Sequence, residues 1–181
     1  MKELLKPDIY QENIYNINYK NLKKDGIKCL AFDLDNTITE PHSYEINKKT
    51  IKLIKDLQKD FQVVIISNSL PHRVKKLSKI LDIPHYYFAI KPTKKRYKEL
   101  LRDYNLQPKE ILAIGDQLFT DVLGAKRNGI HVALVKPLCE KEFFLTRFNR
   151  NLEKIVFKNL NKKYNIKEGE YFEWKNVQDV E

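Results

Sequence analysis

Two aspartates, Asp33 and Asp35, stand two residues apart at the end of an apolar segment, a spacing suited to chemistry. The segment, residues 27–32, is typical of a buried strand, and side chains two residues apart on a strand point the same way. Both carboxylates are therefore expected at the carboxyl end of the strand, where open α/β sheets bind ligands. Two like charges held together need a metal ion, a proton or separate roles. The alternative is a structural turn, because Asp, Asn and Thr favour turns.

Polar residues also follow three later apolar segments. Ser67 and Asn68 follow the second predicted strand, Lys91 the third and Asp116 the fourth, with Asp121 in the same block. Hydroxyl and amide groups suit phosphate oxygens, a lysine supplies a point charge, and carboxylates suit Mg²⁺. Taken alone, each has an ordinary explanation as a helix cap, a surface lysine or an acid in a first helical turn. Their order along the chain favours one shared site.

The elements that must position these groups alternate along the chain. Apolar runs predict strands at 27–32, 63–66, 86–89, 111–114 and 131–135, and amphipathic spacing predicts helices at 47–59, 73–81 and 93–102, then a short helix up to residue 128. Thr93 is expected to cap the third helix and Gly129 to stop the fourth. This alternation predicts an α/β fold with a three-layer, doubly wound parallel sheet.

A further helix is predicted near the carboxyl terminus from an apolar stripe at helical spacing. The stripe consists of Phe144, Phe148, Leu152, Ile155, Val156 and Leu160. Such a helix either covers the sheet or, because basic residues lie off the stripe, rests on an anionic membrane. No role is assigned to the residues after Tyr164. We expect one domain over residues 1–181, with a core at about 26–137, an N-terminal extension at 1–25 and a C-terminal helix and tail at about 141–181.

The order of polar groups resembles the haloacid dehalogenase (HAD) superfamily. Its motifs are Asp-x-Asp-x-Thr, a Ser or Thr after the next strand, a Lys, and a Gly-Asp followed by a second acid, and all four are found here. The resemblance implies that Asp33 is a nucleophile that forms an aspartyl phosphate. It also implies that Asp35 is the general acid and then the general base, which favours a phosphohydrolase over the superfamily's other chemistries.

The same resemblance implies a set of ligands. Phosphate would be bound by Ser67, Asn68 and Lys91. Mg²⁺ would be held by Asp33, the main-chain carbonyl of Asp35, Asp116 and Asp121. The segments between the motifs are too short for a lid, so a capless member of subclass IIIA with an open site is expected. Capless members tend to act on bulky substrates such as proteins, nucleic-acid ends or lipid headgroups.

A narrower resemblance extends over about residues 4–155. It rests on the runs Leu5-Lys6-Pro7-Asp8, Leu-Lys-Lys-Asp-Gly-Ile at 22–27, Asp-Leu-Asp-Asn-Thr, Gly-Asp-Gln with a later Thr-Asp, and Asn-Arg-Asn-Leu-Glu at 149–153. These are similar to the YqeG family of capless phosphatases, which is related to mitochondrial and plastid phosphatidylglycerophosphate phosphatases. Ala125-Lys126 departs from the Gly-Asn expected in that family. The implied substrate is phosphatidylglycerophosphate and the implied product phosphatidylglycerol.

Composition restricts the partners. The 181-residue chain carries a formal net charge of +10, and residues 71–109 contain eleven basic against three acidic residues, which favours an anionic partner. No apolar run approaches the length of a membrane span, no signal peptide is evident, and two cysteines without metal spacing suggest reduced thiols. We therefore expect a cytoplasmic protein, with possible peripheral attachment to the inner face of an anionic membrane.

Two other functions remain open at this point. One is a phosphatase of the same fold for a soluble sugar, nucleotide or protein phosphate. The other is a basic module that binds RNA or the ribosome, although no nucleic-acid motif accompanies the charge. An intact set of catalytic motifs argues against the second function. The sequence does not decide the oligomeric state.

Overall fold

The computed structural model describes residues 2–139 and 144–166. Its strands are β1 (Ile9–Gln11), β2 (Cys29–Phe32), β3 (Gln62–Ile66), β4 (His85–Tyr86), β5 (Ile111–Gly115) and β6 (His131–Val135). They form one parallel sheet in the order β1-β6-β5-β2-β3-β4. The helices are α1 (Tyr19–Lys24), α2 (Lys48–Leu57), α3 (Pro71–Leu81), α4 (Lys95–Asp103), α5 (Leu123–Lys126) and α6 (Phe144–Tyr164).

Both faces of the sheet are covered, which explains the nearly continuous apolar runs of the central strands. Leu30 and Phe32 of β2 face a core that includes residues of α2 and α3. Cys29 and Ala31, which alternate with them along the strand, face a second core that includes residues of α4, α5 and α6. Successive strand residues thus serve opposite layers. The α/β, doubly wound, three-layer fold predicted from the sequence is confirmed.

The strand β1 was not predicted. Its three residues pair in parallel with β6, with Ile9 opposite Ala133. Asp8, just before it, accepts from the main-chain N–H of Val132 at 2.8 Å and forms a 2.5 Å ion pair with Lys126. A strand this short has no detectable period in the sequence. The edge of the sheet is therefore built partly from the first residues of the chain.

The predicted cap at Thr93 is wrong. Helix α4 begins at Lys95, and the hydroxyl of Thr93 instead donates to the carbonyl of Ala89 at 3.2 Å. Thr93 therefore stabilises the turn before the helix. Helix α2, in contrast, does have a side-chain cap, because Asn47 accepts from the N–H of Thr50 at 2.7 Å.

The buried face of α6 differs from the predicted stripe. Leu160 is buried, but Leu152 and Ile155 are exposed. The helix instead turns Glu153 inward, where its carboxylate bonds to the main chain, and a single polar contact of this kind is invisible to an apolar pattern. The side chains at positions 144 and 148 lie outside those that the structure describes, as do residues 167–181.

The loop between β2 and α2, residues 33–47, contains a bridge between Asp35 and Thr39 and no helix. The segment from β3 to residue 91 contains only α3 and β4. Neither adds a lid, so the absence of a large cap is confirmed. Within 2–139 and 144–166, no helix has the length and apolar character needed to cross a bilayer.

Candidate active site

The polar residues singled out in the sequence come together at the carboxyl edge of the sheet. Asp33 follows β2, Ser67 follows β3 and Asp116 follows β5. Strand β2 lies between β3 and β5, so these three strand ends are neighbours. Lys91, in the loop after β4, reaches the same place with a side chain only 3% exposed. This is the point where the strand order reverses, a usual ligand site in such sheets.

An ammonium group contacts two carboxylates of a cluster of three. The Nζ atom of Lys91 is 2.5 Å from Asp33 Oδ1 and 2.5 Å from Asp121 Oδ1, and it donates to the carbonyl of Ile66 at 3.0 Å. Asp33, Asp116 and Asp121 are buried, and each offers an oxygen within 4.8 Å of the others. One cation among three carboxylates leaves net negative charge, and this buried all-oxygen donor set fits Mg²⁺.

The protonation of these groups follows from their burial. Burial raises the pKa of Asp33 to about 7, against the lowering effect of the neighbouring ammonium. Burial by itself would lower the pKa of Lys91, but the carboxylates of Asp121 and Asp33 outweigh it and hold that pKa above its usual value. Lys91 therefore stays charged. A divalent cation beside Asp33 would favour its charged form.

Gly115 allows Asp121 to enter the site. A Cβ atom at Gly115 would lie 2.6 Å from the Cβ of Asp121 and closer still to its carboxylate, which excludes any side chain there. Asp121 belongs to one turn of π-helix, Leu118–Val122, in which the N–H of Val122 reaches the carbonyl of Gln117 at 3.1 Å. The second carboxylate oxygen of Asp121, Oδ2, accepts from the N–H of Gln117 at 3.1 Å. Such turns recur at functional sites, and sequence periodicity gave no sign of this one.

The second aspartate, Asp35, is held by a different set of groups. Its Oδ1 lies 2.6 Å from Nη1 of Arg73, and its Oδ2 accepts a short hydrogen bond from the hydroxyl of Ser69. Arg73 is itself buried, and it donates to the carbonyl of Ser43 at 2.9 Å and to that of Glu40 at 3.1 Å. Sequence reasoning counted Arg73 among the surface basic residues and missed this contact. It also gave Ser69 no role.

The side chain of Asn68 positions the lysine loop. Its Oδ1 accepts from the N–H of Lys91 at 2.8 Å, and its Nδ2 donates to the carbonyl of Lys91 at 3.5 Å. Ser67 is buried, and its hydroxyl accepts from the N–H of Ser69 at 3.1 Å. Both residues lie at the site, as expected. The amide group of Asn68 is occupied with the main chain of Lys91.

Helix α6 also touches the site. The Oε1 atom of Glu153 accepts from the N–H of Phe119 at 2.9 Å, within the π-turn that carries Asp121. Glu153 is only 6% exposed. A cavity of about 450 Å³ lies beside this contact, and its lining includes Asp116, Glu153 and Phe157. The C-terminal helix is therefore attached to the loop that supplies one of the three clustered carboxylates.

Comparison with known proteins agrees with this geometry. Residues 1–139 match the family model described as mitochondrial PGP phosphatase. The chain is also 36% identical over 167 residues to "Probable phosphatase YqeG" of Bacillus subtilis, covering 92% of this chain and 97% of that protein. The chain belongs to this phosphatase family. The resemblance to YqeG-like HAD phosphatases stated from the sequence is confirmed, and the protein is a phosphatase.

A plant relative carries a more specific name. The chain is 26% identical over 168 residues to "Phosphatidylglycerophosphate phosphatase 1, chloroplastic/mitochondrial" of Arabidopsis thaliana, covering 87% of this chain and 48% of that protein. The chain thus spans about half the length of that family member.

Solved structures show the same HAD fold. The putative HAD-hydrolase YfnB from Bacillus subtilis, solved bound to magnesium, superposes with a TM-score of 0.54 at 14% identity, covering 72% of this chain and 98% of that one. A HAD family enzyme from Bacteroides thetaiotaomicron, in complex with magnesium and inorganic phosphate, gives a TM-score of 0.50 at 14% identity, covering 67% and 99%. At 14% identity, these two structures show that this chain shares their fold and show no more than that.

Proposed function

We propose that this phosphatase is a Mg²⁺-dependent phosphomonoesterase that hydrolyses phosphatidylglycerophosphate to phosphatidylglycerol. The observation that carries the proposal is the cluster of Asp33, Asp116 and Asp121 at an uncapped sheet edge, where Lys91 contacts Asp33 and Asp121. The substrate class is supported by the names of the family model and of the plant relative. We also propose that the described strands, helices and remaining segments act as one HAD-like unit over residues 1–181.

Asp33 is the proposed nucleophile. Its carboxylate oxygen attacks phosphorus, the bond from phosphorus to the substrate oxygen breaks, and an aspartyl phosphate forms. Water then attacks that phosphorus, and phosphate leaves with Asp33 restored as a carboxylate. Burial raises the pKa of Asp33 to about 7, so the positive charges beside it favour the carboxylate form that acts as the nucleophile. Lys91, 2.5 Å away, supplies one such charge, and the proposed Mg²⁺ would supply another.

Asp35 is the proposed general acid and base. It gives a proton to the departing alkoxide in the first step and takes one from water in the second. The contacts from Arg73 and Ser69 fix the direction of its carboxylate beside Asp33. Pre-set orientation of this kind removes the entropy cost of placing a proton donor at the moment of reaction.

The proposed metal ligands are Asp33, the main-chain carbonyl of Asp35, Asp116 and Asp121. When bound, Mg²⁺ neutralises the charge that repels a phosphate dianion from the Asp33 carboxylate. The proposed ligands of the phosphoryl oxygens are the hydroxyl of Ser67, the main chain beside Asn68 and the ammonium of Lys91. These groups converge on Asp33, since Lys91 contacts it directly and the loops of Ser67 and Lys91 are hydrogen bonded.

A membrane substrate accounts for the open site and the surface charge. Of the eleven basic residues at 71–109, Arg73 and Lys91 are buried in the site, and Arg96 and Arg102 pair with Glu99 and Asp103. The remaining seven are exposed lysines. We propose that the protein is cytoplasmic and attaches peripherally, in a salt-sensitive way, to the inner face of an anionic membrane.

The decisive experiment is a substrate panel assayed by phosphate release from purified protein. Phosphatidylglycerophosphate in mixed micelles is compared with glycerol 3-phosphate, a sugar phosphate, a nucleoside monophosphate and a phosphopeptide. We expect the lipid to have the highest kcat/KM. A clear preference for one of the soluble phosphates would assign the protein to the alternative phosphatase function. Strong RNA binding together with no turnover of any phosphate would favour the binding module.

Two substitutions test the chemistry within that assay. Asp33→Asn should fold normally and lose turnover by roughly 10⁴-fold or more, because an amide cannot form the acyl phosphate. Asp35→Asn should still release p-nitrophenolate in a single burst, since that leaving group needs no proton, but should hydrolyse the phosphoenzyme slowly. Wild-type turnover of alkyl phosphates by Asp35→Asn would remove Asp35 from the acid and base steps.

A further inference from the structure

Three apolar side chains are exposed on the two loops that border the phosphate site. Leu70 is 54% exposed, Phe88 45% and Ile90 65%. Leu70 directly precedes α3, and the other two lie in the loop between β4 and Lys91. We call these three residues the apolar rim. Large apolar side chains grouped at the mouth of a site, rather than scattered over a surface, indicate a binding partner.

The two loops of the rim are joined to each other and to the site. The N–H of Ala89 donates to the carbonyl of Ser67 at 3.0 Å, and the amide of Asn68 holds the main chain of Lys91. Ala89, between Phe88 and Ile90, is buried. The loop therefore turns one small residue inward and two large apolar residues outward, next to the groups proposed to bind phosphate.

Two of the three rim residues adopt a backbone conformation that residues other than glycine normally avoid. Phe88 has a φ of 45° and Ile90 a φ of 49°. The left-handed region is unfavourable for bulky residues and most of all for β-branched ones, and it persists where the surrounding structure requires it, often at binding sites. Here it keeps two apolar side chains facing solvent beside the catalytic lysine. The conformation of this loop thus exposes the side chains of Phe88 and Ile90 to solvent instead of burying them.

Cations and tyrosines surround the rim. Helix α3, which begins at this edge, contains no acidic residue. The Nζ atom of Lys75 lies 5.5 Å from the ring centre of Tyr87, and that of Lys76 lies 4.9 Å from the ring centre of Tyr44. Exposed Lys94 and Lys95 mark the start of α4 at the same edge. An apolar centre bordered by tyrosine and lysine matches the boundary between acyl chains and anionic headgroups.

We propose that the apolar rim inserts into the acyl region of an anionic phospholipid bilayer while the surrounding lysines contact its headgroups. The proposal rests on the lipid substrate proposed above and adds the orientation of the enzyme on the membrane. Inserted in this way, Leu70, Phe88 and Ile90 bring the open edge of the sheet against the headgroup layer. A phosphomonoester then reaches Asp33 without its acyl chains leaving the bilayer.

The test measures binding of the full-length protein to vesicles, with no substrate present. Vesicles of phosphatidylglycerol and phosphatidylcholine are compared with vesicles of phosphatidylcholine alone by sedimentation at several salt concentrations. The variant Leu70→Ser/Phe88→Ser/Ile90→Ser should partition to anionic vesicles at least ~100-fold more weakly, since three apolar contacts are lost. Ile80→Ser, an exposed apolar residue at the far end of α3, is the matched control and should bind like the wild type.

A second variant reports insertion directly and does not depend on the triple substitution folding well. Phe88→Trp, with the natural Trp174 replaced by Phe, should show blue-shifted emission on anionic vesicles and quenching by brominated acyl chains. Unshifted emission, or equal partitioning of the triple variant and the wild type, would overturn the rim proposal. Binding that salt abolishes equally in both proteins would mean attachment by charge alone and would also overturn it.

The outcome is separable from that of the substrate assay. Rim-dependent vesicle binding without hydrolysis of phosphatidylglycerophosphate would uphold the rim and reject the proposed substrate. Hydrolysis of the lipid in micelles together with rim-independent vesicle binding would reject the rim and uphold the substrate. Capture of a soluble protein by the rim, with no affinity for vesicles, would identify the apolar residues as a protein interface instead.

Discussion

The guanidinium of Arg73 lies 2.6 Å from the carboxylate of Asp35, and two main-chain carbonyls of the 40–43 segment hold it there. This contact joins α3, the loop after β2 and the proposed acid/base group into one unit. A buried arginine held by these contacts and by a hydrogen bond to the hydroxyl of Ser69 has little freedom to move. Asp35 is therefore oriented before any substrate arrives.

Replacement of this arginine should impair proton transfer more than binding. For Arg73→Met we expect kcat on an alkyl phosphate to fall by roughly 10²-fold with little change in KM, because the carboxylate of Asp35 loses its fixed direction. The burst of p-nitrophenolate should fall much less, since that group leaves without a proton. Arg73→Lys should recover part of the loss. Rapid-quench kinetics on both substrates measures these effects.

A matched control separates this role from general destabilisation. Arg96→Met removes an arginine that is only partly buried and that pairs with Glu99 at 2.6 Å on α4. It should leave both rates within about twofold of the wild type, as expected for a partly exposed pair. An equal loss on both substrates in Arg73→Met would mean that Arg73 only stabilises the fold.

Adding one methyl group to Gly115 should damage the metal site. In Gly115→Ala the new Cβ would overlap Asp121, so that carboxylate must leave the cluster. We expect affinity for Mg²⁺ to fall by roughly 10- to 100-fold, with a parallel loss of activity at low Mg²⁺. Isothermal titration with Mg²⁺ gives the affinity. Partial recovery of activity at high Mg²⁺ would be consistent with a weakened site.

The control for Gly115→Ala is another glycine. Gly26 has a φ of +86° and no atom within 4 Å of an added Cβ. Gly26→Ala should therefore lower the free energy of unfolding by about 1 kcal/mol through backbone strain, without changing Mg²⁺ affinity. Equal loss of Mg²⁺ affinity in both variants would contradict a specific effect on Asp121.

Removal of the metal should abolish turnover. Chelation with EDTA should stop the reaction, added Mg²⁺ should restore it, and Ca²⁺ should inhibit because its larger coordination shell disturbs the geometry of transfer. In wild-type protein Mg²⁺ should raise Tm, because a ligand that binds only the folded state stabilises it. Asp116→Asn should lose most of that rise in Tm. Unchanged turnover in EDTA would reject the proposed cofactor.

Lowering the pH should reduce the stabilisation that Asp8 gives to the β1 edge of the sheet. Burial alone would raise the pKa of Asp8, but the neighbouring His131 ring, the ion pair with Lys126 and the hydrogen bond from the N–H of Val132 hold it below its usual value. A lowered pKa in the folded state means that the stabilisation is present above the unfolded-state pKa and disappears as pH falls through the folded-state pKa. Urea unfolding of the wild type and of Asp8→Asn should differ by about 1–2 kcal/mol at neutral pH, and the two should converge as the pH falls below the folded-state pKa of Asp8.

An exposed pair provides the comparison for Asp8. Asp56, near the end of α2, lies 2.6 Å from Lys59, which follows the helix, and both side chains are largely exposed. Asp56→Asn should leave the free energy of unfolding almost unchanged at every pH, because solvent screens such pairs. A similar pH dependence in both variants would show that the Asp8 contacts do not determine the acid response.

The sequence predicted the sheet and the residues at its edge because both depend on local signals. The strand at Cys29–Phe32 and the aspartates after it follow from an apolar run and a period of two. Ser67, Lys91 and Asp116 were assigned from their places after strands and from family motifs. In the structure they do gather at one edge, where Lys91 contacts both Asp33 and Asp121.

The features that the sequence did not predict depend on distant contacts. Arg73 resembles any basic residue of an amphipathic helix until the loop carbonyls that surround it are known. The strand Ile9–Gln11 exists because β6 offers a free edge and Asp8 fixes its register. Lys126 departs from the family pattern, yet it is the residue that pairs with Asp8 at 2.5 Å. No local period encodes such pairings.

The hydrogen bond from Phe119 to Glu153 shows that the active-site loop depends on a residue of the C-terminal helix. The match to the family model stops at residue 139, yet the acceptor of this bond lies fourteen residues later, on α6. A chain cut back to the matched region would leave the π-turn without its C-terminal brace. The loop that carries Asp121 thus depends on a helix outside the region matched by the family model but inside the 92% of this chain that aligns with the Bacillus subtilis relative. The shorter match therefore understates the length of chain that the active site needs.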